Sequence, residues 1–176
     1  MFYHTGNYKK SKQGVAVIIA IITASIVLSL GASALNLSLK QLQFSSLGQG
    51  SVSAFYSANT AFECALLWDL SPSAPYTESV FATSTSSTVP TAGSGITCAA
   101  TDLSSVWSVV AGPTAATTTF TVRYSATDIT EPCGNVVVAK YEDGSGNTRT
   151  SVTARGLNSC DDNAPRRTER GLRVFY

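Results

Sequence analysis

Histidine is almost absent from this sequence, since His4 is the only one and it precedes a long apolar segment. Catalysis by Ser-His-Asp or Cys-His groups and histidine-based metal sites are therefore excluded for everything that follows His4. No nucleotide-binding glycine motif is present either. We expect a non-enzymatic protein with no cofactor and no metal site.

Charged residues are also scarce, at 13% of the 176 residues, about half the share of a typical soluble domain. Lys9, Lys10 and Lys12 all precede Gly14, whereas the first acidic residue is Glu63. Without residues 1–14 the chain would hold nine Lys/Arg against eleven Asp/Glu. A nucleic-acid binder that relies on bulk positive charge is therefore disfavoured.

The four cysteines form no C-x-x-C pair, which argues against a zinc knuckle or a thioredoxin-type site. They are Cys64, Cys98, Cys133 and Cys160, and all follow the apolar segment. An even number of widely spaced cysteines behind an export signal predicts two disulfides, with free buried thiols as the alternative.

One long apolar segment, Val15 to Leu35, contains no charged residue. About 20 apolar residues suffice to cross a bilayer as a helix. The three lysines before it favour a cytoplasmic N-terminus and an extracytoplasmic remainder. We therefore predict a transmembrane helix over 15–35.

A cleaved secretory signal is an alternative, because Ala32-Ser33-Ala34 fits the signal-peptidase rule. The apolar stretch is, however, longer than in most signals, and its helical periodicity continues beyond Ala34. The periodic series continues with Leu35, Leu39 and Leu42 and, after Gly48 and Gly50, with Val52, Phe55, Asn59, Phe62 and Leu66. A neighbouring stripe of small residues comprises Ala54, Ala58, Ala61 and Ala65. This pattern predicts one helix over 15–70.

The segment "SKQGVAVIIAIITASIVLSL" (11–30) resembles the precursors of type IV pilin-like proteins, in which a short basic leader ends in Gly immediately before the apolar helix. "AFYSANTAFECALLWDL" (54–70) and "PRRTERGLRVFY" (165–176) are also similar to minor pilins. The resemblance implies a leader over 1–14, cleavage between Gly14 and Val15 by a prepilin peptidase, and methylation of the new N-terminus.

The same resemblance implies where the protein acts and what it contacts. The precursor would lie in inner-membrane lipid, and the mature protein would join an extracellular filament through contacts of residues 15–47 with other pilin subunits. Ile19 departs from the family, because most pilins have Glu at the fifth mature position. Some subunits at filament tips also lack that Glu, so Ile19 favours a minor subunit.

The remainder of the chain predicts a loop and a β domain. Residues 71–95 are rich in Ser, Thr and Pro and predict a surface loop, with a short strand or helical turn near Tyr76–Phe81. Residues 96–176 contain strand-like runs at 95–100, 104–110, 118–125, 135–141, 150–155 and 171–176. We predict an α+β fold in which about five antiparallel strands pack on the amphipathic half of the helix, as in pilins.

"EDGSGN" (142–147) predicts a hairpin over 135–155. The pairing favoured among three possible connectivities is Cys64–Cys98, joining helix to first strand, and Cys133–Cys160, flanking the hairpin. Asp143, Ser145 and Asn147 have the spacing of a calcium-loop start, but no Gly or Glu completes that motif, and a plain turn is preferred.

Four arginines close to Glu169 form a basic cluster: Arg166, Arg167, Arg170 and Arg173. Protection of an edge strand is the preferred interpretation, with contacts to DNA or to carboxylates on adjacent subunits as alternatives. Binding of the whole chain to DNA or to a host surface has no specific support in the sequence. For the whole chain, the leading hypothesis is a structural filament subunit. The alternative is a membrane-anchored or secreted adhesin-like module that does not polymerise.

Overall fold

The computed structural model describes residues 13–72, 75–91, 93–99 and 101–176. His4, the three lysines and the predicted leader up to residue 12 lie outside these ranges. The longest element is the helix α1, Gln13–Leu70, which includes all of the predicted helix. The chain forms two compact units, residues 1–45 and 46–176, and the boundary between them falls within α1.

A small two-stranded ladder precedes the main sheet. Strand β1, Thr97–Cys98, pairs antiparallel with β2, Thr101–Asp102, and the short helix α2, Leu103–Val106, follows. The Asp102 carboxylate accepts a hydrogen bond from the Ser104 amide at 3.0 Å and thereby caps α2. The prediction of one strand over 104–110 is therefore wrong for its first four residues, which are the end of this helical turn and its C-cap Trp107.

Among the described residues, five antiparallel strands form the main sheet, in the number that the sequence predicts, and their order in the sheet is their order in the chain. They are β3 Ser108–Ala111, β4 Ala115–Arg123, β5 Cys133–Glu142, β6 Thr148–Leu157 and β7 Glu169–Phe175. The predicted hairpin is confirmed, because β5 pairs with β6 across the turn at 143–147. β3 and β7 are the edge strands.

Residues 46–70 of α1 pack on this sheet through the small-residue stripe Ala54, Ala58, Ala61 and Ala65, whose members are fully buried. Val52 and Phe55, from the neighbouring apolar series, are instead about half exposed. The contact is close because glycines face the stripe. Gly134 and Gly156 are partners in the β5–β6 ladder, and a Cβ on Gly134 would lie 2.5 Å from Ala61 Cβ.

The segment over 71–95 is more than a surface loop, contrary to the prediction. Its described residues form turns and bends, with neither the strand nor the helical turn expected near Tyr76–Phe81. Val80 and Phe81 are both buried, and the Phe81 ring stacks on Phe120 of β4 at a centroid distance of 5.7 Å. Burial of two large apolar side chains fixes the segment against the core.

Candidate functional site

The predicted processing residues lie in the first turns of α1. A Cβ on Gly14 would meet no atom within 4 Å, and the Val15 and Ile19 side chains are 61% and 56% exposed. Every described side chain from Gly14 to Leu47 is exposed in the same way. Residues 15–35 therefore present apolar surface around the whole helix, which suits a lipid environment or contact with other apolar helices.

The few polar side chains in this apolar segment bond to the helix itself. Thr23 Oγ1 donates to the Ile19 carbonyl at 3.0 Å, and the Ser25 hydroxyl donates to the Ile22 carbonyl at 2.8 Å. Ser29 and Ser33 do the same. Because hydrocarbon offers no hydrogen-bond partner, this internal satisfaction lets the hydroxyls enter an apolar environment.

By length and composition, α1 from Gly14 onward could cross a membrane, and it is the only such helix among the described residues. The two disulfides lie in the other unit. Cys64 pairs with Cys98 and Cys133 with Cys160, with Cα–Cα distances of 6.0 and 5.6 Å. These are the pairs that the sequence favours, although Cys64–Cys98 links α1 to the small β1–β2 ladder and not to the main sheet.

A buried ionic cluster lies at the end of α1. The Lys140 Nζ of β5 is 2.5 Å from Asp69 Oδ1, to which the Ser79 hydroxyl also donates. The Tyr176 hydroxyl donates to Asp69 Oδ2 at 2.6 Å. One carboxylate thus joins the helix, the 71–95 segment, the sheet and the residue after β7. Burial, followed by the bond to Asp69, raises the pKa of Tyr176 above its usual value of 10.

The arginine cluster lies along and just before the edge strand β7. Arg170 Nε donates to Ser51 Oγ of α1 at 2.8 Å, and the Arg173 guanidinium lies 4.2 Å from the centre of the Phe175 ring. Arg167 pairs with Asp162. Charged side chains therefore cover this edge strand, as expected for edge protection.

The Asp143 carboxylate organises the hairpin turn. Its Oδ1 accepts bonds from the amides of Ser145 and Asn147 at 2.9 and 3.0 Å, and its Oδ2 accepts one from Arg149 Nε. The amide bonds, more than the charge of Arg149, hold the pKa of this carboxyl below its usual range. In the described ranges no three His, Cys, Asp or Glu side chains are grouped to hold a metal ion.

No protein-family model, curated protein or solved structure matches this chain. Its architecture and side-chain geometry are therefore the basis for a functional assignment.

Periodicity and turn motifs predict neither the ionic cluster nor the glycine pair. Asp69 is the one charge in "ALLWDL" (65–70), and Lys140 is the one charge in the run "NVVVAKY" (135–141). A single charge within an apolar helix end or strand is a signal of pairing on burial. Glycine inside a strand pattern, as at Gly134 and Gly156, is a signal of close backbone approach.

Proposed function

We propose that this chain is a minor structural subunit of a type IV pilus-like extracellular filament. It is made as an inner-membrane precursor, cut by a prepilin peptidase between Gly14 and Val15, and assembled through residues 15–47. The observation that carries the proposal is α1 itself. This helix begins at Gln13, is apolar and exposed in the first unit, and packs on an antiparallel sheet in the second.

This helix argues against a cleaved secretory signal. Ala34 lies within α1, 36 residues before its end at Leu70, so a cut there would divide one secondary-structure element. A cut after Gly14 removes only the first two residues of the helix and leaves the whole apolar segment on the mature protein.

The apolar side chains of residues 15–35 favour assembly because they avoid water. The apolar side chains that contact lipid in the precursor contact helices of neighbouring subunits in the filament, so the same surface stays out of water in both states. Small residues such as Gly31, Ala32 and Ser33 permit close helix contacts. Ile19 adds no charge to this core, so the N-terminal amine of a neighbouring subunit gains no carboxylate partner from it.

N-terminal sequencing and the intact mass of the protein recovered from membranes and from the extracellular fraction test the proposal. A mature protein beginning at Val15 and present in sheared filaments is expected. A start at Leu35 would overturn the proposal, and an uncleaved precursor confined to the membrane would favour a plain anchor. Gly14→Val is expected to block cleavage, whereas the control Gly31→Ala is expected to leave it intact.

Ile19 is also compatible with a second candidate, an adhesin-like module held by α1 that does not polymerise, because the carboxylate usual in pilin assembly is missing. The incorporation of one variant into filaments distinguishes the two functions. Ile19→Glu restores the usual pilin residue, so it is expected to raise incorporation into filaments if the chain is a subunit and to leave the location unchanged if it is only anchored.

A further inference from the structure

A cleft of about 390 Å³ lies between α1 and the segment that joins β4 to β5. Its lining comprises two tyrosines, one carboxylate, three hydroxyls and a proline, which are Tyr56, Tyr124, Glu131, Ser53, Ser57, Thr60 and Pro132. Of the residues that the structure describes, no lysine or arginine belongs to this lining. The cleft therefore combines aromatic rings with uncompensated negative charge.

This composition suits a cation. The faces of aromatic rings attract cations, and arginine guanidinium groups also stack on them. The Tyr56 and Tyr124 side chains are 64% and 38% exposed, so both rings are accessible. The segment that carries Glu131 is held in place, because the Cys160 amide donates to the Glu131 carbonyl at 3.1 Å and Cys133 is disulfide-bonded two residues later.

An arginine of the β7 edge lies against the opposite flank of α1. Ser51 accepts a hydrogen bond from Arg170, whereas Ser53 lines the cleft. Residues two positions apart on an α-helix are separated by about 200°, so these serines lie on different flanks. The strand order agrees with this placement, since the cleft adjoins β4 and β5 whereas Arg170 belongs to the edge strand β7.

We propose that the cleft of one copy of this chain receives an arginine of the β7 edge from a second copy. This inference rests on the proposed filament function and deepens it by naming a contact between the 46–176 units of two copies. Because the two complementary surfaces lie on opposite flanks, each copy keeps one cleft and one basic edge free for the next. Such a head-to-tail contact continues from copy to copy and does not close as a symmetric dimer.

The occupant follows from charge complementarity within the chain. The arginines at and just before β7 are exposed, and Arg170 is held toward α1 by its bond to Ser51. Arginine and tyrosine are both enriched among the few residues that carry most of the binding energy of an interface, so an arginine against these two tyrosines suits such a contact. A free organic cation or a different protein could satisfy the same cleft, and the experiment separates these occupants.

Site-specific photo-crosslinking of the full chain in its native membrane tests the contact. With a photoreactive phenylalanine in place of Tyr56, irradiation is expected to yield a homodimer whose cross-linked peptide lies within residues 165–176. Glu131→Arg and Arg170→Glu are each expected to lower the yield about tenfold, the change that about 1.4 kcal/mol produces. The double variant is expected to restore it, whereas the control Glu142→Arg leaves it unchanged.

Cross-links to another protein, cross-links outside 165–176, or the absence of any dimer would overturn the proposal, as would a double variant that is not restored. The outcome is separable from that of the filament function. A Val15 start without the cross-link rejects only this contact, whereas the cross-link in a protein that keeps Met1 supports the contact and rejects the filament.

Discussion

Lys140 Nζ lies 2.5 Å from Asp69 Oδ1, and these side chains are only 7% and 2% exposed. Two charges out of water must be paired, because the effective desolvation penalty is several kcal/mol for each ion. Ser79 and Tyr176 donate to the same carboxylate and satisfy its remaining lone pairs. The pair thus fixes the end of α1 against β5.

Breaking this pair is expected to destabilise the fold strongly. Asp69→Asn leaves the Lys140 ammonium buried without a counter-charge, and we expect the free energy of unfolding to fall by about 3–5 kcal/mol. The double variant Asp69→Asn/Lys140→Met should cost less than the sum of the two single substitutions. Urea unfolding of the full chain in detergent, followed by tryptophan fluorescence, measures both. Additive losses would contradict the coupling.

A side chain at Gly156 is expected to disrupt the contact between helix and sheet. A Cβ there would overlap the Ala54 carbonyl oxygen and the Ala58 amide nitrogen, both of them backbone atoms. Gly156→Ala should therefore lower the free energy of unfolding by about 1–3 kcal/mol or more. Gly144→Ala is the matched control, since a Cβ at Gly144 meets nothing within 4 Å. Equal stability of the two variants would refute the close packing.

The raised pKa of Tyr176 predicts a loss of stability at alkaline pH. The folded state favours the neutral phenol, so this contribution is complete below the unfolded pKa of about 10 and is lost as the pH rises above it. Between pH 9 and 12, Tm should fall more steeply for the native chain than for Tyr176→Phe. Tyr141→Phe, on the opposite face of the sheet, should retain the native slope. Parallel curves for all three proteins would argue against the assignment.

Phe81 is expected to contribute as a core residue although it lies in a segment without regular structure. Phe81→Ala removes a ring that stacks on Phe120, and the expected loss is about 3–5 kcal/mol. Phe55→Ala is the control, because that ring is 47% exposed on α1 and its removal should change the free energy of unfolding by less than about 1 kcal/mol. The same urea titration compares the two, and similar losses would show that the loop does not belong to the core.

The regular elements could be predicted because each depends on a local pattern. Period-3.6 spacing predicted α1 as far as Leu70, and alternation such as Phe120, Val122 and Tyr124 predicted the strands. The turn residues after Glu142 also set the β5–β6 hairpin. Each of these patterns depends only on residues that are close in sequence, so it predicts the element without information on what that element packs against.

Features that depend on distant partners could not be predicted in this way. Asp69 and Lys140 are single charges in apolar surroundings, and only the register of β5 under α1 brings them together. Phe81 lies in a segment whose Ser, Thr and Pro content predicts exposure, yet its ring packs against the rings of Phe120 and Trp107. The cleft around Tyr56 likewise combines residues of α1 with residues of the segment between β4 and β5, and no sequence pattern predicts that contact.

The bond between Asp69 and Tyr176 has a consequence for the order of events during synthesis, since 107 residues separate its two partners. The end of α1 leaves the ribosome long before the residues that cover its carboxylate. The alanine stripe likewise precedes Gly134 and Gly156 in translation. Residues 46–70 of α1 thus emerge well before their own packing partners, and the unit of residues 46–176 completes its fold only after Tyr176 has been synthesised.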